Sequence, residues 1–172
     1  MSNYNPNTLN RIGSITTGVH VKTGVLNNSA YLTSGDPTHS LFNVYGRIRI
    51  LGLDVEAVTA FAADLTTVKF TFTSTTPSVG ISDISALSLS IASIPIGAKV
   101  KWLGTAVNTA PAVGATQAHI AAFSADTMDV GHTNGIGVIS KTAAAAVQGS
   151  GTCRFNLYYL PISEGAYATA IV

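Results

Sequence analysis

The sequence predicts an all-β fold, an antiparallel β-sandwich, jelly roll or barrel, on three observations. Short runs alternate apolar and polar residues with a period of two. Gly, Pro and Ser turns separate those runs, and no amphipathic helix stands out. Only 10% of the 172 residues are charged against 47% hydrophobic, so Thr, Ser, Asn, Gly and Ala must build the surface. Exposed helix faces usually rest on Glu and Lys, which makes this a strand-and-turn composition. A disordered chain is excluded by the apolar content, and the length suits one domain that hides roughly 70% of its unfolded surface.

Residues 1–40 are rich in Asn, Thr, Gly and Ser, and their large apolar side chains, Leu9, Ile12, Ile15, Val25, Leu26, Tyr31 and Leu32, are few and far apart. Ordering a backbone costs about 1–2 kcal/mol per residue, which so few anchors cannot offset in isolation. Such a segment packs on its own domain or becomes ordered against another subunit. The expectation is the second: an extended N-terminal arm over 1–40 that clamps a neighbour, does not complete its own core, and can be deleted over 2–30 with the β domain still folded.

From residue 41 the text turns to dense strand signals, giving one domain over 41–172. Leu41-Phe42-Asn43-Val44-Tyr45 opens it, and after Gly46 comes a half-exposed strand in which Ile48 and Ile50 face one way and Arg47 and Arg49 the other. Val68, Phe70 and Phe72 alternate with Thr67, Lys69, Thr71 and Thr73, the clearest period-two run in the chain. Pro77 breaks it. Leu87, Leu89 and Ile91, then Val100 and Trp102, then Cys153, Phe155, Leu157 and Tyr159 mark further inward faces, while 106–118 reads as a surface loop. Expected core residues are therefore Ile48, Ile50, Val68, Phe70, Phe72, Leu89, Ile91, Val100, Trp102, Phe155 and Leu157. Leu51, Leu53, Tyr158 and Leu160 are expected on the opposite face, and apolar side chains there must meet a second layer or a neighbour. With Leu9, Ile12 and Ile15 of the arm they are the candidate subunit contacts.

Chemical motifs are sparse. No Gly-x-Ser-x-Gly elbow occurs, and four His, six Asp and two Glu are spread too thinly to define a catalytic constellation. Gly135-Ile136-Gly137 lacks the third glycine and the helix of a dinucleotide loop, so a turn beside a strand is the reading. Asp126, Asp129, His132 and Asn134 form the one polar cluster with metal-ligand chemistry, which hard oxygen ligands could offer to Ca²⁺. Its spacing is not that of an EF-hand, and Asx-rich turns use the same side chains on their own backbone, which is the favoured reading. His20, His39 and His119 stand alone. Lys99, Lys101, Lys69, Arg47 and Arg49 either form a basic face or guard strand edges, and edge protection is favoured. Cys153 is the one cysteine, so no intramolecular disulfide forms. No catalytic residue, cofactor or metal is expected, and neither nucleic acid, at a net charge of +1, nor a membrane is an expected partner. Residues 1–10 lack the apolar core of a signal peptide, which predicts synthesis in the cytoplasm.

Two stretches carry a family resemblance. Leu41-Phe42-Asn43-Val44-Tyr45-Gly46 with the strands that follow to Phe72, and Phe155-Asn156-Leu157-Tyr158-Tyr159-Leu160-Pro161-Ile162-Ser163-Glu164-Gly165-Ala166, resemble small virion structural proteins of tailed bacteriophages, in particular those that coat or cement capsids. The resemblance covers roughly residues 41–166. It implies a β-sandwich, jelly-roll-like, that binds the outside of a phage head without catalysis and cements capsid subunits. Its implied partners are the major capsid protein and itself, a trimer ahead of a dimer, and its place is the virion. Tail, baseplate or fibre modules that bind a glycan or receptor share the same strand wording and are the alternative.

Overall fold

Alternation in the sequence becomes thirteen short elements in the computed structural model, which describes residues 18–32, 38–61, 66–86, 88, 91, 93–102, 112–114, 128–145 and 150–172. The strands are β1 (Val19–Lys22), β2 (Leu26–Asn27), β3 (His39–Tyr45), β4 (Ile48–Ala57), β5 (Thr66–Thr76), β6 (Ser78–Asp83), β7 (Lys99–Trp102), β8 (Ala112–Gly114), β9 (Met128–Val130), β10 (Ile136–Ala145), β11 (Thr152–Pro161) and β12 (Tyr167–Ala170). A single helical turn, α1 (Asn28–Tyr31), follows β2. Asn28 holds it in place, its backbone N–H donating to Gly151 O at 3.0 Å and its side-chain amide to Ser150 O at 2.8 Å.

Two antiparallel sheets pack face to face as a sandwich. The seven-stranded sheet runs β1-β11-β4-β7-β8, with β2 prolonging β1 along β11 and β9 prolonging β7 along β4. The five-stranded sheet runs β12-β3-β10-β5-β6. Four of the pairings are nested: β5 with β6, β4 with β7, β3 with β10 and β1 with β11, alternating between the two sheets. That is one long hairpin rolled across both sheets, the jelly-roll topology. The expected all-β, jelly-roll-like sandwich is thus the observed fold.

Inward positions are those the alternation predicts. Ile48, Ile50, Val68, Phe70, Phe72, Ile91, Val100, Trp102, Phe155 and Leu157 are all buried, and Leu89 lies outside the described residues. Phe70 of one sheet meets Phe155 of the other edge-on, with ring centroids 6.3 Å apart. On β10 the inward-facing Gly137 pairs with Ser74, and a Cβ there would run into the Phe72 ring. Lys141 is also wholly buried.

Leu53 corrects the sequence reading. It is 1% exposed and belongs to the core, not the outer face. The register between β4 and β11 pairs Gly52 with Tyr158 but Ile50 with Tyr159, so Leu51 is an extra residue. A bulge of this kind reverses the facing of every later side chain. Ile48 and Ile50 face inward before it; Leu53, Val55 and Ala57 face inward after it. Leu51, Tyr158 and Leu160 are half-buried.

Over residues 18–32 the arm also departs from expectation. Val19 to Lys22 pair in register with Tyr159 to Asn156, Leu26 pairs with Cys153, and Leu32 is 1% exposed in the core. Thr23 bridges the gap between β1 and β2, its N–H donating to Phe155 O and its hydroxyl accepting from Phe155 N–H, both at 3.0 Å. This stretch is an edge of its own domain. Residues 1–17, with Leu9, Ile12 and Ile15, lie outside the described residues.

Two outcomes follow. Deleting residues 2–30 removes β1 and β2 and is expected to lower the thermal midpoint; an unchanged midpoint would show that this edge adds nothing to the fold. Phe70→Ala, which opens a cavity where the two sheets meet, is expected to cost about 3–5 kcal/mol in denaturant unfolding.

Candidate functional site

The bulge in β4 turns Asp54 and Glu56 onto the outer face of the seven-stranded sheet, where they meet Asn156 and Tyr158 of β11, Lys99 of β7 and His20 of β1. Asn156 is the hub. Its amide nitrogen donates to Asp54 Oδ1 at 2.6 Å and lies 3.3 Å from Glu56 Oε2. With the nitrogen so committed, Asn156 Oδ1 is the acceptor for His20 at 3.0 Å, which places a proton on His20 Nε2. Lys99 Nζ stands 3.6 Å from both Asp54 Oδ2 and Glu56 Oε2. The His20 ring stacks on Tyr158 with centroids 4.4 Å apart and planes 7° from parallel.

Although they point away from the sandwich core, Asp54, Lys99 and Asn156 are buried. Burial pushes the Asp54 carboxyl above the ordinary carboxylate range, against the pull of Asn156 and Lys99. For Lys99 burial acts downward, but the charges of Asp54, Tyr158 and Glu56 outweigh it and hold the ammonium above its usual value. Burial, with the Asp54 charge, raises the Tyr158 phenol. The members of this cluster bond one another across four strands, and what the arrangement does chemically is to fix β1, β11, β4 and β7 side by side through charge-assisted contacts.

A second charged group sits at the other end of β4. Asp129 of β9 accepts from Arg47 Nη2 at 2.9 Å and from Arg49 Nε at 2.7 Å. Those guanidinium groups, Arg49 first, hold the Asp129 carboxyl below its ordinary value. Asp129 is thus tied to two cations, and the loop beyond it is a turn: Asn134 has φ 61° and Gly135 N–H donates to His132 O at 2.8 Å. Asp126 and His119 lie outside the described residues. Among the described residues no three His, Cys, Asp or Glu side chains gather as a metal ion would need. Lys69 pairs with Asp83 at 2.7 Å, so Arg47, Arg49, Lys69 and Lys99 each face a carboxylate and make no common basic face. The Cys153 thiol is buried and pushed up to about 12, which keeps it protonated and unreactive at neutral pH.

On the five-stranded sheet, Tyr167, Tyr45 and Ile136 form a cross-strand row on the outer face. The two tyrosine rings stack at 4.5 Å, and Tyr167 is 47% exposed. No described helix is long and apolar enough to cross a membrane. Comparison with protein-family models, with curated proteins and with solved structures returned no match.

Sequence reasoning reads His20 as standing alone, Lys99 as one of several edge cations and Tyr158 as a subunit contact, and assigns no role to Asn156, Asp54 or Glu56. A signal was present: Asp54 and Glu56, like Lys99 and Lys101, share a strand face at a spacing of two.

The raised Asp54 carboxyl has a pH signature. The folded state binds its proton more tightly than the unfolded chain does, so stability contributed at this position falls as pH rises from the ordinary carboxylate value through the raised one. The thermal midpoint of the natural protein, measured relative to Asp54→Asn, is therefore expected to rise as pH is lowered from neutrality through that window. A constant difference would mean that burial does not bear on Asp54.

Proposed function

We propose that this chain is a non-enzymatic virion structural protein that binds the outside of a phage head and cements neighbouring capsid subunits. It associates with the major capsid protein and with copies of itself, as a trimer or a dimer. The fold alone carries no function, because jelly rolls serve many. What supports the reading is how the charges are used. Asp54, Glu56, Asp83 and Asp129 are each within ion-pair distance of a Lys or Arg of the same domain. The remaining surface is largely Thr, Ser, Asn and small apolar residues, suited to broad contacts with protein rather than to steering a charged substrate. Several copies bridging capsomers gain avidity from modest contacts, so no deep pocket is required.

One observation favours the alternative of a tail, baseplate or fibre module that binds a glycan or receptor. The stacked Tyr45 and Tyr167 offer an exposed aromatic surface of the kind a sugar ring packs on.

Labelled antibody on intact particles separates the two. Labelling over the head lattice is expected, together with genome release at a lower temperature from heads that lack the protein. Label confined to the tail would overturn the cement reading, and glycan binding abolished by Tyr167→Ala would support its rival.

A further inference from the structure

Strand β12 is an open edge of the five-stranded sheet, and its sequence does nothing to close it. Tyr167, Ala168, Thr169 and Ala170, followed by Ile171 and Val172, hold no charged side chain, no proline and no glycine. The end strands β1, β6 and β8 are protected by ordinary means. β1 carries Lys22 and gives way to Thr23 and Gly24; β6 follows Pro77 and ends at Asp83, which is bonded to Lys69; β8 is three residues long and follows Pro111 in the sequence.

Backbone direction along β12 is set by its pairing with β3. Ile171 N–H donates to Leu41 O, so the odd-numbered residues face β3 and the peptide groups of Ala168, Ala170 and Val172 face away. Two of these outward groups are already engaged: Ala168 N–H donates to the Tyr159 hydroxyl at 3.0 Å, and Val172 O accepts from Gly24 N–H at 2.9 Å. Among the described residues, no hydrogen bond engages Ala168 C=O, Ala170 N–H, Ala170 C=O or Val172 N–H on this side. The residue at the middle, Ala170, is exposed.

We propose that β12 pairs antiparallel with β12 of a second copy of this chain, about a twofold axis at Ala170. In that register Ala170 exchanges both its hydrogen bonds with its counterpart, and Val172 N–H donates to Ala168 C=O of the other copy, twice by symmetry. The two groups that would complete the ladder, Ala168 N–H and Val172 C=O, are the two already held by Tyr159 and Gly24, so none loses a partner. No charged side chain of the strand meets its like across the seam. Each exposed Ile171, which is 40% exposed, comes to lie opposite Thr169 of the other copy and diagonal to its Tyr167. The result is one continuous sheet with five strands from each copy.

This pairing deepens the self-association in the proposed function, and its test uses purified protein without heads, so its failure leaves head binding to be judged separately. Sedimentation at roughly 100 μM, where a small interface of micromolar strength is populated, is expected to show a dimer. Ala170→Lys and Ala170→Glu, each placing like charges on the axis, are expected to be monomers, and their equimolar mixture to recover the dimer. Amide exchange of the natural protein gives a second reading that needs no variant: the Ala170 N–H is expected to be protected at high concentration and unprotected at low. A monomeric natural protein, a trimer, a dimer indifferent to Ala170→Lys, a mixture that stays monomeric, or an Ala170 amide unprotected at high concentration would each overturn the pairing.

Discussion

One extra residue in β4 governs both faces of the larger sheet. Had the alternation set by Ile48 and Ile50 continued unbroken, Gly52, Asp54 and Glu56 would point into the core and Leu53, Val55 and Ala57 out of it. Burying two carboxylates between apolar sheets would cost several kcal/mol for each. The bulge at Leu51 exchanges the two sets. It lets β4 and β11, each of ten residues, supply a full inner face and at the same time a row of polar groups outside. Every contact that Asp54 and Glu56 make in the Asn156 network depends on that shift.

Much of the fold could be read from the sequence because most strands carry their facing in a plain period of two. Phe70, Phe72, Val100, Trp102, Phe155 and Leu157 fell where the pattern put them. Leu53 did not, because the pattern was extrapolated through Gly52, a residue whose presence in a strand marks a possible bulge. Two acidic residues sharing the parity of Ile48 and Ile50 were the further warning. The edge strands β1 and β2 were harder to place for a different reason. Val19-His20-Val21-Lys22 does alternate, but both strands are short and poor in large side chains, and what fixes them to β11 is backbone bonding and Thr23, which leave no mark in the sequence of the strand they join.

The polar cluster was less legible than the fold. Asp54, Lys99 and Asn156 come from three strands distant in the chain, and only the rolled topology sets β11, β4 and β7 side by side. A single sequence records each residue's face but not which strand lies next to it. Even so, like-spaced pairs such as Asp54 with Glu56 and Lys99 with Lys101 hint that these strands meet, since opposite charges across a sheet stabilise and like charges do not.

Charge economy links these features. With so few ionisable side chains, most of those described are spent within the domain: Asp129 on two arginines, Lys69 on Asp83, Lys99 on two carboxylates. Exposed ion pairs of this sort contribute little to stability, while the buried Asp54, Lys99 and Asn156 group gains most by fixing which strands are neighbours. The consequence is a surface with little net field and few free charges to repel another protein. On such a surface the places where backbone or apolar side chains remain open matter more than they would on a charged one. Here the open backbone at Ala170 and the Tyr167, Tyr45 and Ile136 row lie on the same smaller sheet, the sheet that does not carry the Asn156 network. The larger sheet spends its outer face on holding its own strands together, and the smaller one is left with the surface that has something to offer a neighbour.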